Sequence, residues 1–100
     1  MTVRKALLAR LEAKPGKESA VKDLLVGAVA LANEEVDTTV WFALKLGPST
    51  FGVFDAFADD AGRQAHLKGP IAQALMANAE LFSRAPQIDP VDVLGAKLAA

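Results

Sequence analysis

The sequence predicts an α+β fold in which helices cover one face of a sheet, on three observations. Two β-branched and aromatic segments, Thr38 to Leu46 and Thr50 to Ala58, lie on either side of a Gly-Pro-Ser turn; segments with helical apolar spacing precede and follow the pair; and an aliphatic segment stands near each end of the chain. One domain spanning residues 1–100 is expected. A chain of this length, 52% hydrophobic, buries roughly two thirds of its unfolded surface in a single core.

Val3 to Ala13 is rich in aliphatic residues, with Arg4, Lys5, Arg10 and Glu12 interspersed, and reads as a first strand stopped by Lys14-Pro15-Gly16. Beyond it, Val21, Leu24, Leu25, Ala28, Leu31 and Ala32 follow the three-four spacing of a helix face. Lys17, Glu18, Lys22 and Asp23 occupy the opposite side. The helix runs for about five turns and ends near Glu35.

The two aromatic segments form a β-hairpin, with Pro48 at the first central position of its turn, where the ring supplies the φ that position needs. If Gly47 pairs with Thr50, Asp55 lies opposite Phe42; if Leu46 pairs with Thr50, Asp55 lies opposite Trp41. Both registers remain open. Asp59 or Asp60 caps a short helix that ends near Lys68, and Gly69-Pro70 breaks it. Pro70 opens another helix, expected through Phe82, with Ile71, Ala74, Leu75, Leu81 and Phe82 on one face. Pro86 ends that segment, and a last strand is expected from Val91 to about Leu98.

The order is βαββαβ, that of a ferredoxin-like sandwich with helices on one face. The hairpin, however, is apolar on both sides: Val40, Phe42, Leu44 and Leu46 on one, Trp41 and Ala43 on the other. A face-to-face homodimer is the expected cover for the second side.

Eleven basic and twelve acidic residues, with no basic block, give no electrostatic footprint for nucleic acid or an anionic membrane. The longest apolar run, Leu24 to Ala32, is about half a membrane span, and the N-terminus does not read as a cleaved leader. With no cysteine there is no disulfide framework, thiolate nucleophile or Cys-ligated metal, a composition suited to the cytoplasm.

His66, the only histidine, is the first candidate for chemistry because an imidazole takes up or gives a proton near neutrality. The plainer reading is a helix-end residue that caps carbonyls or faces solvent. Nothing pairs it with a second ligand at metal-binding spacing, so no metal is expected. Asp55, set between Phe54 and Ala56, needs a partner or takes up a proton. Ion pairs with Arg10, Lys45 or Arg63 are its plainer explanation. Trp41, Phe51, Phe54 and Phe57 are candidate walls of a pocket for a flat hydrophobic ligand, against the alternative of core packing. Met76 on the Pro70 helix is a further candidate for the same cavity. Glycine-rich phosphate loops, nucleophile elbows and dinucleotide fingerprints are missing from the sequence.

The strand TFGVFDAFADD, followed by QAHL, Gly69-Pro70 and a closing DVLGAKL, resembles the antibiotic biosynthesis monooxygenase family of small dimeric α+β barrels, over essentially the whole chain. Asp55, Phe57 and Ala65-His66-Leu67 take the places of that family's acidic residue, aromatic and Ala-His-Leu-like step. The resemblance implies two chains whose sheets meet, a hydrophobic cavity in each, and cofactor-independent oxidation of quinols or aromatic polyketides by molecular oxygen. It also implies His66 as proton acceptor or oxyanion donor, Asp55 orienting it or a neighbouring group, and Trp41 and Phe57 holding the ring. Phe57 stands where many members have tryptophan, and Val36-Asp37-Thr38 replaces a frequent Gly-Cys step. The first strand lacks the asparagine of related haem-degrading enzymes, which disfavours that activity. Two other readings share the fold: a non-catalytic ligand-binding or stress-associated dimer, and an isomerase of small phosphorylated sugars or ketones. The second needs Arg10, Lys45 or Arg63 as a cationic anchor beside the cavity.

Overall fold

A computed structural model describes residues 3–99. The elements are β1 (Lys5–Glu12), α1 (Glu18–Glu34), β2 (Thr38–Lys45), β3 (Thr50–Phe57), α2 (Asp60–Leu67), α3 (Pro70–Ala77), a 3-10 turn (Ala79–Leu81) and β4 (Gln87–Asp92). The sheet has the order β2-β3-β1-β4 with every neighbouring pair antiparallel, so the ferredoxin-like βαββαβ arrangement expected from the sequence is the fold.

Local chemistry accounts for the junctions. Pro15 and Gly16 make a tight turn in which Lys17 N–H donates to Lys14 C=O at 2.9 Å, and Gly16 takes the φ of +84° that a side chain would resist. On α1 the buried residues Val21, Leu25, Ala28 and Ala32 form one stripe, and they meet Ala9, Leu11, Phe51 and Val53 of the central strands or the helix α3 residue Ile71. In the β2–β3 hairpin, Leu46 N–H donates to Thr50 C=O at 2.8 Å, which leaves a three-residue loop and sets Trp41, not Phe42, opposite Asp55. An irregularity between Thr38 and Val40 shifts the register at the start of β2.

Two boundaries differ from the sequence expectation. The helix expected through Phe82 ends at Ala77, because the Asn78 side chain donates to Ala74 C=O at 2.8 Å and caps it; a 3-10 turn then carries Phe82 into the core, beside Ala13. The last strand is Gln87–Asp92 rather than Val91 to Leu98. Pro90 falls inside β4, which has a single neighbour, β1, and an edge strand tolerates a missing N–H. Past β4 one further ladder bond joins Val93 N–H to Arg4 C=O, and residues 94–99 lie exposed outside any regular element.

The sheet face turned away from the helices is apolar. Ala6 and Ala56 are buried beneath Val40, Phe54, Val91 and Val93, while Phe42 remains 53% exposed.

Candidate functional site

Three separate elements bring one side chain each to a single point beneath α2. Asp55 sits in β3 between Leu7 of β1 and Trp41 of β2, on the face that the helices cover. His66 stands near the end of α2, whose start is fixed by Asp59: its Oδ1 accepts from Gly62 N–H at 2.9 Å. Gly62 lets α2 approach the segment that joins α1 to β2. A Cβ there would lie 3.2 Å from Asp37 C=O and 3.5 Å from Phe57 Cβ. Glu35 caps the C-terminus of α1 with extended backbone, and Thr38 Oγ1 donates to its Oε1 at 2.7 Å.

The result is an imidazole held from both ends. His66 Nε2 is 2.9 Å from Asp55 Oδ2 and His66 Nδ1 is 2.6 Å from Glu35 Oε1. Phe57 flanks the ring with centroids 5.4 Å apart. Burial opposes protonation of the imidazole, but the hydrogen bonds and charges of Asp55 and Glu35 outweigh it and raise the His66 pKa to about 8. At neutral pH the ring is therefore an imidazolium that donates to both carboxylates. The other carboxylate oxygens, Asp55 Oδ1 and Glu35 Oε2, are buried without a protein partner, as is Trp41 Nε1. Buried polar atoms left unpaired are costly, and three of them around one cluster mark it as a place where polar groups are held ready.

His66 stands between two hollows. Inside, a cavity of about 40 Å³ is lined by Leu7, Val53, Asp55, His66, Ile71 and Leu75, with Ile88 at its β4 side. Outside, a cleft of about 160 Å³ is lined by Glu35, Asp37, Thr38, Ala65, His66 and Gly69. Asp55 belongs to the inner lining alone and Glu35 to the outer alone. Larger hollows lie away from the imidazole, one of about 270 Å³ by Arg10, Glu12, Thr50 and Arg84 and one of about 190 Å³ by Lys22, Val26, Lys45 and Phe51.

Of the residues singled out from the sequence, Asp55, His66 and Phe57 come together. Trp41 packs partly buried against Ile71 and α1, and Phe51 lies on the same sheet face deeper under α1. Phe54 points to the opposite face, and Arg10 is exposed. Arg63 is taken up by Asp60 at 2.8 Å and by the carbonyls of Ala6 and Val91. Asp55 thus pairs with His66 rather than with Arg10, Lys45 or Arg63, because β3 points its carboxylate under α2. None of these three cations lines the inner cavity. Met76, 76% exposed, also lies outside it. Glu35 was not foreseen. Its signal is an acid at a helix C-terminus with no basic residue in the last turn, where the helix dipole disfavours negative charge. Among the described residues no group of metal-ligating side chains is placed to hold an ion, and no helix is long and apolar enough to cross a membrane.

Comparison with solved structures gives this arrangement relatives. The chain is 64% identical to the NE2512 protein of Nitrosomonas europaea, a protein of unknown function, over 99% of this chain and 97% of that one, with a TM-score of 0.97. The chain belongs to the NE2512 family. Members of that family share their fold with more distant proteins: a putative antibiotic biosynthesis monooxygenase from Caulobacter crescentus matches at 16% identity over 94% of this chain and 92% of that one, TM-score 0.79. Another from Deinococcus radiodurans matches at 18% identity over 96% and 98%, TM-score 0.79. The ferredoxin-like chain fold expected from the sequence resemblance is the one these structures share. No protein-family model and no curated protein matches the chain.

Proposed function

We propose that this NE2512-family chain is a cofactor-independent monooxygenase that oxidises a small quinol-like or aromatic polyketide metabolite with molecular oxygen. The observation that carries the reading is the buried His66 ring held between Asp55 and Glu35, which together with Asp55 lines an apolar cavity, while Asp55 Oδ1 has no protein partner. A phenolic hydroxyl entering that cavity meets a carboxylate oxygen with no competing donor. Loss of its proton leaves an electron-rich anion, and the imidazolium present beside Asp55 at the outset favours that loss. The substrate is the reductant: in an aromatic polyketide a ring CH₂ becomes C=O, one atom of O₂ enters the product and the other leaves as water, whereas a quinol gives up two electrons and two protons to become the quinone and O₂ becomes hydrogen peroxide.

The inner cavity, at about 40 Å³, has room for a water or a dioxygen molecule but not for an aromatic ring. Substrate entry therefore requires α3 to move outward. That helix is lightly held, with Ile71 its one buried residue, and Phe57 and Trp41 are the aromatic surfaces a guest would meet. The apolar outer face, where Phe42 is half exposed and Leu8, Phe54 and Val40 are only partly covered, supports a homodimer formed by that face.

Oxygen uptake with a quinol such as menadiol tests the reading. Uptake above the autoxidation blank, lost in folded His66→Ala, is the expected result. Equal rates for the two proteins would retire His66 as the catalytic group, and no uptake above the blank would retire the oxygenase in favour of a ligand-binding protein.

A further inference from the structure

His66 is the sole residue that lines both hollows, and its two nitrogens divide between them: Nε2 toward Asp55 and the inner cavity, Nδ1 toward Glu35 and the outer cleft. A carboxylate on the inner side would suffice to orient the ring. The second carboxylate, on the cleft side, is positioned by Thr38 Oγ1 and keeps one oxygen, Oε2, buried and unpaired beside Gly69. A Cβ at position 69 would lie 3.6 Å from that oxygen.

We propose that Glu35 is the exit of a proton relay, and that a proton taken from the substrate by Asp55 is matched by one passed from His66 Nδ1 to Glu35 and on to cleft water. The inference rests on the proposed oxygenase for the origin of the first proton. At rest the three groups are carboxylate, imidazolium and carboxylate, with a net charge of −1. When Asp55 Oδ1 accepts the substrate proton, Asp55 becomes neutral and one of the two charges that hold the imidazolium is lost. The Nδ1 proton then moves to Glu35 Oε1 and from Glu35 to water, while the Nε2 proton stays between His66 and Asp55. The cluster ends as neutral acid, neutral imidazole and carboxylate, again −1; the substrate has become an anion and the cleft has gained the proton. No ring flip is needed.

Few other charges act on this path. Asp37 lines the outer cleft, Asp55 is the one carboxylate of the inner cavity, and on α2 Arg63 is paired with Asp60. From α3 the side chain near the ring is apolar Ile71. The carboxylate of Glu35 is therefore the group through which a proton leaves the ring toward solvent.

Because the chain has one histidine, ¹⁵N-imidazole NMR reads the relay directly and without turnover. Exchange of the Nδ1 proton with water should slow by about tenfold or more in Glu35→Gln, whose amide oxygen still accepts the hydrogen bond but takes no proton. Glu35→Asp, which keeps the charge but is one methylene too short to reach Nδ1, should slow it as well, so the proposal stands on two variants should one fail to fold. Asp55→Asn should leave the Nδ1 exit open. Unchanged exchange in folded Glu35 variants, or an Nε2 proton that exchanges faster than Nδ1 in the wild type, would overturn the relay. Slowed exchange in a protein that consumes no oxygen would leave the relay standing and remove the oxygenase.

Discussion

Trp41 and Asp55 face each other across β2 and β3, and each presents a buried polar atom, the indole Nε1 and the carboxylate Oδ1, that no protein group satisfies. A ladder pair places the two Cβ atoms about 5 Å apart, close enough for a guest to touch both. Neither atom contributes to stability in its unpaired state; each costs something by being held dry. A guest with an acceptor and a donor would satisfy both.

Trp41→Phe follows from that. The substitution removes an unsatisfied donor while leaving an aromatic ring against Ile71 and α1, so lost packing and regained desolvation offset one another. Urea unfolding should show a change within about 1 kcal/mol. Quinol binding, by contrast, should weaken. A stability loss well above that range would show that the indole N–H is engaged in the folded protein.

Gly62→Ala should destabilise although alanine is the better helix former by about 1 kcal/mol. Its Cβ would meet Asp37 C=O at 3.2 Å and Asp37 Cβ at 3.3 Å, and neither can withdraw without shifting the α1–β2 junction next to Glu35. A net loss of about 1–3 kcal/mol is expected from overpacking of this kind. His66, four residues on along α2, should report it by a shifted ring resonance. A thermal midpoint at or above that of the wild type would mean that α2 packs more loosely than its contacts show.

How much of this was legible in the sequence depends on the range of the interaction concerned. The elements, the Asp59 cap and the isolation of Asp55 among aromatics are local, and periodicity exposes them. The hairpin register turned on one residue of loop length, settled only where Leu46 and Gly47 N–H both reach Thr50 C=O. Two boundaries escape periodicity for opposite reasons: a side-chain cap at Asn78 stops a helix that its apolar spacing continues, and an edge position admits Pro90 inside β4, where a central strand would refuse it. The pairing of Glu35 with His66 joins residues 31 apart and belongs to tertiary structure, although an acid at an uncompensated helix C-terminus is a local oddity that points to it.

Phe42→Glu tests the dimer. Phe42 is 53% exposed at the outer sheet face, where a carboxylate costs the isolated fold little but cannot be buried against a second copy without a partner. Light scattering after size exclusion should find the wild type as a dimer and the variant as a monomer with an unchanged circular dichroism spectrum. A variant that stays dimeric would place the contact on another surface.

The proton on His66 should be visible in stability. Its pKa rises from 6.5 in the unfolded chain to about 8 in the folded one, so the native state binds the proton more tightly. The stabilisation is fully present below pH 6.5 and is lost as pH rises through 8, amounting to about 2 kcal/mol between those limits. Solvent screening takes little from it, because the ring is only 7% exposed. For a domain of this size such a loss lowers the thermal midpoint by roughly 8–16 °C, measurable in scans at pH 6 and pH 9. Asp55→Asn removes one of the two carboxylates that hold the proton, so its stability should vary less over the same interval even though the variant is weaker throughout. A wild-type midpoint that is flat from pH 6 to pH 9 would mean that the imidazole is neutral at rest, and with it the charge that favours loss of the substrate proton, and the Nδ1 proton that the relay passes on, would be gone.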